Sequence, residues 1–303
     1  MKHSFKITLI LLSMFFLTQL IGLFIINQYS PEIVQVIDSQ GNIINQTNYN
    51  LPYGMDPPSD TTPGSTFFSI IIAVAIAVIL MLFLMKFNAE IILKSWFFAV
   101  ITLALAISIN SVLFKSVNYS TLVALAFALP LTYLKIFKRN IFLHNFTELL
   151  IYPGIAVIFV PLLNIWTVVL LFILISLYDM YAVWHAGFMQ KMAKYQINKL
   201  KVFSGFFIPY LNKTQKQTLS KSKKSKKMKV SVAILGGGDV VFPIILAGVV
   251  LRQIGFLPAI IISLGATAAL AFLFRISKKG KFYPAMPFIT SGCFLALGIA
   301  YLI

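Results

Sequence analysis

The chain has 303 residues, of which 59% are hydrophobic and only 11% charged, against roughly 25% charged in soluble globular domains. This excludes a soluble protein with one core and points to a polytopic membrane protein. The net charge of +17 sits at the ends of apolar segments and in one loop, the distribution of membrane topology rather than of a nucleic-acid-binding face.

A bilayer core about 30 Å thick needs about 20 apolar residues as helix. By that rule the sequence predicts nine transmembrane helices, at 6–27, 65–86, 91–114, 119–137, 142–163, 165–189, 230–251, 255–275 and 282–303. The first follows Lys2 and Lys6 as in a signal peptide. Its apolar run is too long for one and has no small-x-small cleavage site after it, so it reads as a retained helix. Between the first two spans, residues 28–64 carry EIVQVIDSQGNIINQT, which predicts a small hairpin around Ser39 to Asn42, and then a Pro-, Gly- and Asp-rich linker. The fifth span contains Glu148, Pro153 and Pro161, so an eight-span chain with a re-entrant 142–163 stays open. Asn110 and Asn164 read as helix-end or interhelical hydrogen-bonding residues.

The loop 190–229 divides the chain. Helices one to six (1–189) precede it and helices seven to nine (230–303) follow, all in one membrane domain. Its first part, KMAKYQINKLKVFSGFFIPYL, mixes basic and aromatic residues and predicts an interfacial helix on anionic lipid headgroups. Its second part, TQKQTLSKSKKSKKMK, is a lysine–serine tract expected to be disordered. The single cysteine, Cys293, excludes an intrachain disulfide and reads as a small packing residue.

With the N-terminus inside, 23 Lys and Arg fall on the inner side and only Lys115 and Arg252 on the outer. The positive-inside rule then places the N-terminus in the cytoplasm and the C-terminus outside, in a cell membrane.

Two acids break the apolar pattern. Asp179 lies in ILISLYDMYAVWHAGF and Asp239 in VAILGGGDVVFPIILAGVVL. An ionisable group at membrane depth is costly and marks a functional site by default. Counted as helix from Lys191 and Lys229, the two lie roughly 18 and 15 Å deep. Their spans are antiparallel, so the side chains can meet. Two adjacent carboxyls cannot both ionise cheaply and share a proton. One then acts as base on a water while the other polarises a carbonyl, which is peptide hydrolysis with no metal and no cofactor. Gly236, Gly237 and Gly238 let backbone approach beside Asp239, and Tyr178 is placed to donate a hydrogen bond near Asp179. Glu148, at the inner end of the fifth span, reads either as an acid solvated by Arg139 and the interface or as a third site acid.

Tyr178-Asp179 in one span and Gly236-Gly237-Gly238-Asp239 in the next resemble the YD and GxGD motifs of the presenilin and signal peptide peptidase family. Pro284-Ala285-Met286 resembles its PAL motif, with Met in place of Leu. The three occur in order across essentially the whole chain. The resemblance implies a presenilin-like fold, a GxGD intramembrane aspartyl protease and a compact microbial, archaeal-type homologue. In it Asp179 and Asp239 are the catalytic pair, and Pro284, Ala285 and Met286 shape the site and hold the substrate as an extended strand. The inner end of the seventh span, near Lys229 to Ala233, is the expected strand partner. The basic loop between the aspartate spans lies inside, as in presenilin and inverted from signal peptide peptidase. Substrates are therefore expected to be single-pass proteins with an outer N-terminus.

Other chemistries fit less well. A metalloprotease needs His-Glu-x-x-His, and His3, His144 and His185 lie far apart. A rhomboid-like serine protease needs a His after a Gly-x-Ser, and none follows His185. Prepilin peptidases continue Gly-x-Gly-Asp with a Lys two residues on, where Val241 stands. The rival from another class is an ion- or proton-coupled transporter with the two aspartates as ion sites, although the chain shows no internal repeat.

Overall fold

The computed structural model describes residues 5–37, 43–57, 63–114, 116–138, 140–186, 195, 199, 202, 204–210, 231–277 and 283–302. Nine α-helices lie among them. They are α1 (Phe5–Gln28), α2 (Pro63–Lys86), α3 (Glu90–Leu113), α4 (Ser120–Phe137), α5 (Ile141–Phe159), α6 (Ile165–Tyr181), α7 (Gly237–Gln253), α8 (Phe256–Ile276) and α9 (Met286–Ala300). α1 to α6 and α8 are long and apolar enough to cross a membrane, α6 when its continuation to Trp184 is counted; α7 and α9 have 17 and 15 residues. All are apolar on every face, so partner helices and lipid, rather than water, cover them.

α1, α5 and α7 form the centre, with α3 against α5, α6 and α8 flanking α7, and α9 against α6 and α8. Phe15, Tyr152, Leu246 and Ile262 are almost wholly buried there. α8 and α9 meet through glycines: a Cβ on Gly265 would sit 2.6 Å from the Gly292 carbonyl oxygen, and the reverse distance is also 2.6 Å. Small residues allow such backbone approach, which drives helix association where water does not.

Several details of the sequence reading hold. The strands β1 (Glu32–Ile37) and β2 (Ile43–Asn48) form the expected antiparallel hairpin, with its turn outside the described residues. Asn164 caps α6 in a reciprocal box with Thr167, and the Asn110 amide donates to the Tyr29 hydroxyl at 3.0 Å. Cys293 is buried in the core. α5 runs as one helix through Pro153 and ends in a 3₁₀ turn at Val160–Leu162. It does not re-enter.

Three expectations change. The seventh span does not start as helix at 230: residues Ser231–Gly236 are a strand, β4, and helix begins at Gly237. Along β4 the burial alternates. Ala233 and Leu235 are buried while Val232 and Ile234 are each 43% exposed, the period of two that a strand shows. The expected interfacial helix is also a strand over Gly205–Tyr210, β3, paired antiparallel with β4 from Gly205↔Gly236 to Tyr210↔Ser231. An uninterrupted apolar run masks the difference between strand and helix, because periodicity disappears when every residue is apolar. The ninth span is helical only from Met286, after Pro284 has broken the entry. The lysine–serine tract 214–229 lies outside the described residues.

Candidate active site

Both aspartates sit at helix ends rather than in mid-helix. Asp179 is the third-last residue of α6, which passes into a π-turn at Ala182–Ala186. Asp239 is the third residue of α7, in its first turn. The helical depth count from Lys229 therefore fails, because six of those residues are extended. The two acids are nonetheless brought near each other, with β4 leading into Asp239 and α6 carrying Asp179. Asp239 lies within the electrostatic reach of Asp179.

Each carboxyl is associated with the start of a helix. Asp239 lies in the first turn of α7, where negative charge is favoured. Asp179 lies near the carbonyl end of its own helix, which disfavours charge. It is compensated by the start of α9: the Met286 N–H donates to Asp179 Oδ2 at 3.0 Å, and the Ala285 N–H also faces it. The Pro284-Ala285-Met286 segment thus acts on Asp179 through its backbone. Pro284 and Met286 are buried and Ala285 is half-buried. One turn from Asp179 on α6, the hydroxyls of Ser176 and Thr290 lie 2.7 Å apart and tie α6 to α9.

The three glycines are not equivalent. A Cβ on Gly237 would sit 2.6 Å from Ser204 Oγ, 2.8 Å from Tyr152 Cε1 and 2.9 Å from Tyr152 Oη. On Gly236 it would meet Asp239 Oδ2 at 3.2 Å, and on Gly238 it would meet nothing nearer than Phe242 at 3.7 Å. Gly237, the variable position of the motif, is the one that packing requires. Tyr178 is 49% exposed, the exposure of an aromatic residue on the outer face of the bundle rather than of a buried donor.

Several residues the motifs do not name complete the site. Gln19 of α1 donates to the Val240 carbonyl at 3.1 Å, next to Asp239. Tyr152 of α5 lies under Gly237 and packs edge-on to Phe206 of β3, ring centroids 5.7 Å apart. Glu148 is not solvated by the interface, and Arg139, its other expected partner, lies outside the described residues. Glu148 is buried (1% exposed) and pairs with Lys135 of α4, Nζ to Oε1 2.7 Å. A glutamate and a lysine thirteen positions apart, near the facing ends of consecutive spans, were the available signal.

Residues 12–303 match the family described as signal-peptide peptidase, presenilin aspartyl protease. The chain belongs to that family. The family assignment makes it a multi-pass membrane protein and an aspartic endopeptidase of the intramembrane-cleaving type; an ion-coupled transporter finds no support. Two solved structures of a presenilin family intramembrane aspartate protease share the fold. One, in space group C222, has a TM-score of 0.62 at 17% identity, covering 97% of this chain and 98% of that one. The other, in P2, has a TM-score of 0.59 at 16% identity and 96% coverage of each chain. A comparison with curated protein sequences finds no match. Within this presenilin-type fold, the strand–Gly-Gly-Gly-Asp–helix junction is where extended backbone passes into α7.

Proposed function

We propose that Asp179 and Asp239 are the catalytic dyad of this intramembrane protease and that its substrates are single-pass membrane segments. The observation that carries this is their convergence from α6 and α7, with the start of α9 hydrogen-bonded to Asp179. Sharing one proton, one carboxylate removes a proton from a water while the other, protonated, hydrogen-bonds the scissile carbonyl oxygen. The water oxygen adds to the carbonyl carbon. Collapse of the tetrahedral centre then breaks the C–N bond, with the amine taking a proton from the dyad. Side chains alone supply this chemistry.

A membrane helix hides its peptide bonds, so the substrate unwinds first, and its freed N–H and C=O groups need partners in a dry site. The hairpin of β3 and β4 offers them by strand addition. Pro284, Ala285 and Met286 border the other side of the dyad. The charge asymmetry favours a cytoplasmic N-terminus, an outer C-terminus and a cell-membrane location, with the basic loop on anionic headgroups and substrates whose N-terminus is outside.

The test is purified protein in vesicles with a single-pass membrane peptide, followed by mass spectrometry and by ion flux. Cleavage that disappears in Asp179→Ala and in Asp239→Ala is expected. Flux that depends on both aspartates, with no cleavage, refutes the proposal. Tags in 28–64 that label from the cytoplasmic side refute the orientation.

A further inference from the structure

The β3–β4 hairpin has two outer edges, and among the described residues only one of them is open. On β3, the Phe207 N–H donates to Asn145 Oδ1 at 3.0 Å, and Asn145 Nδ2 donates to the Phe207 carbonyl at 2.8 Å. One side-chain amide thus takes both backbone groups that Phe207 offers outward, as a neighbouring strand would. Residues of that parity face the same edge. Two positions before, the Gly205 carbonyl meets His144 Nε2 at 2.8 Å. Two positions after stands Pro209, which has no N–H to give. The β3 edge is therefore occupied, occupied and blunted in succession.

The parity also fixes what β4 offers. Phe207 is paired with Ile234, and Pro209 with Val232. Since Phe207 turns its backbone groups away from β4, Ile234 and Val232 turn theirs away from β3. Among the described residues, these N–H and C=O groups of the β4 edge have no partner. They lead directly into Gly236 and Asp239.

His144 is held in turn by a buried ion pair. Lys135 Nζ lies 2.7 Å from Glu148 Oε1, 3.2 Å from the Thr147 hydroxyl and 3.3 Å from His144 Nδ1. A carbonyl can only accept and an ammonium can only donate. Gly205 on one ring nitrogen and Lys135 on the other therefore fix His144 as the Nε2–H tautomer. Glu148 Oε1, 3.4 Å from Nε2, steadies the same face.

We propose that Asn145 is a positioning residue that closes the β3 edge, with His144 oriented by the Lys135–Glu148 pair, and so commits an incoming substrate strand to β4 in one register. The inference rests on the protease reading above and adds a specificity determinant to it. Neither Asn145 nor His144 touches the scissile bond. They act by leaving one place for a strand to bind and by holding that place still relative to Asp239. A slip of two residues keeps a strand's faces but moves a different peptide bond to the dyad.

The experiment compares the wild type, Asn145→Ala, Asn145→Asp and Asn145→Gln on one single-pass membrane peptide. It reads kcat and KM separately, cleavage positions by mass spectrometry, and thermal melting. Asn145→Ala is expected to raise KM about tenfold, as loss of one to two hydrogen bonds implies, and to add products displaced by two residues. Asn145→Asp keeps the acceptor but repels the Phe207 carbonyl and is expected to behave like Ala. Asn145→Gln, which retains both groups, is expected to restore part of the single cleavage position. Lower melting with unchanged KM and an unchanged single cleavage position in Asn145→Ala overturns the proposal and leaves the protease intact. A wild type that cleaves nothing overturns the protease reading and this proposal with it.

Discussion

Gly237→Ala isolates the packing beneath the strand–helix junction that carries Asp239, a member of the proposed dyad. The new methyl carbon falls 2.6 Å from Ser204 Oγ, 2.8 Å from Tyr152 Cε1 and 2.9 Å from Tyr152 Oη. Ordinary contact is about 3.5–4.0 Å between carbons, so the ring and the α7 start must separate by about 1 Å. Ser204 yields by rotating its hydroxyl. Tyr152 does not, being 1% exposed and wedged against Phe206. Overpacking of this kind costs roughly 1–3 kcal/mol. A displacement of about 1 Å at the catalytic group costs on the order of 100-fold in rate. The expected result is a variant that melts several degrees lower in detergent and cleaves a single-pass peptide with kcat down about 100-fold. Gly238→Ala is the internal control for stability. Its methyl meets nothing within 3.7 Å, and alanine in a helix is favoured over glycine by up to about 1 kcal/mol, so melting stays level or rises. Equal melting losses in the two variants, or wild-type activity in Gly237→Ala, refute the reasoning.

Further outcomes follow from the same contacts. Lys135→Met leaves Glu148 buried without its cation and should destabilise the protein by about 3–5 kcal/mol, most of it recovered in the Lys135→Met, Glu148→Met double variant; no recovery in thermal melting contradicts the pairing. Thr290→Val removes the hydroxyl partner of Ser176 and should cost about 1 kcal/mol, with Ser176→Ala adding little on top; additive losses in chemical denaturation contradict a shared bond. The rate of peptide cleavage should pass through a maximum with pH, because the dyad is active only with one proton on the pair. A rate that rises monotonically to alkaline pH excludes the shared proton.

The acids, the membrane spans and the family were legible in the sequence because each leaves a local mark. Asp179 and Asp239 stand out as charge in apolar runs, and Asn164 stands three residues before Thr167 as a cap. What was not legible lies in tertiary context. Ser231–Gly236 and Gly205–Tyr210 look like helix or interfacial segment, since apolar composition alone does not select between strand and helix. They become strands by pairing with each other and with the Asn145 side chain. The burial of Glu148 was missed because its partner, Lys135, lies on another helix. The glycine motif was read as uniform, and only the positions of Tyr152 and Ser204 single out Gly237.

The central claim is that two carboxyls jointly hold one tetrahedral centre. The most direct measurement is the affinity of a membrane-spanning peptide in which a hydroxyl-bearing carbon replaces the scissile carbonyl. Transition-state mimics bind about 10²-fold or more above their substrates. The wild type should bind the hydroxyl peptide that much more tightly than the parent peptide, and both Asp179→Ala and Asp239→Ala should lose the preference. An unchanged preference in either variant would contradict a shared dyad.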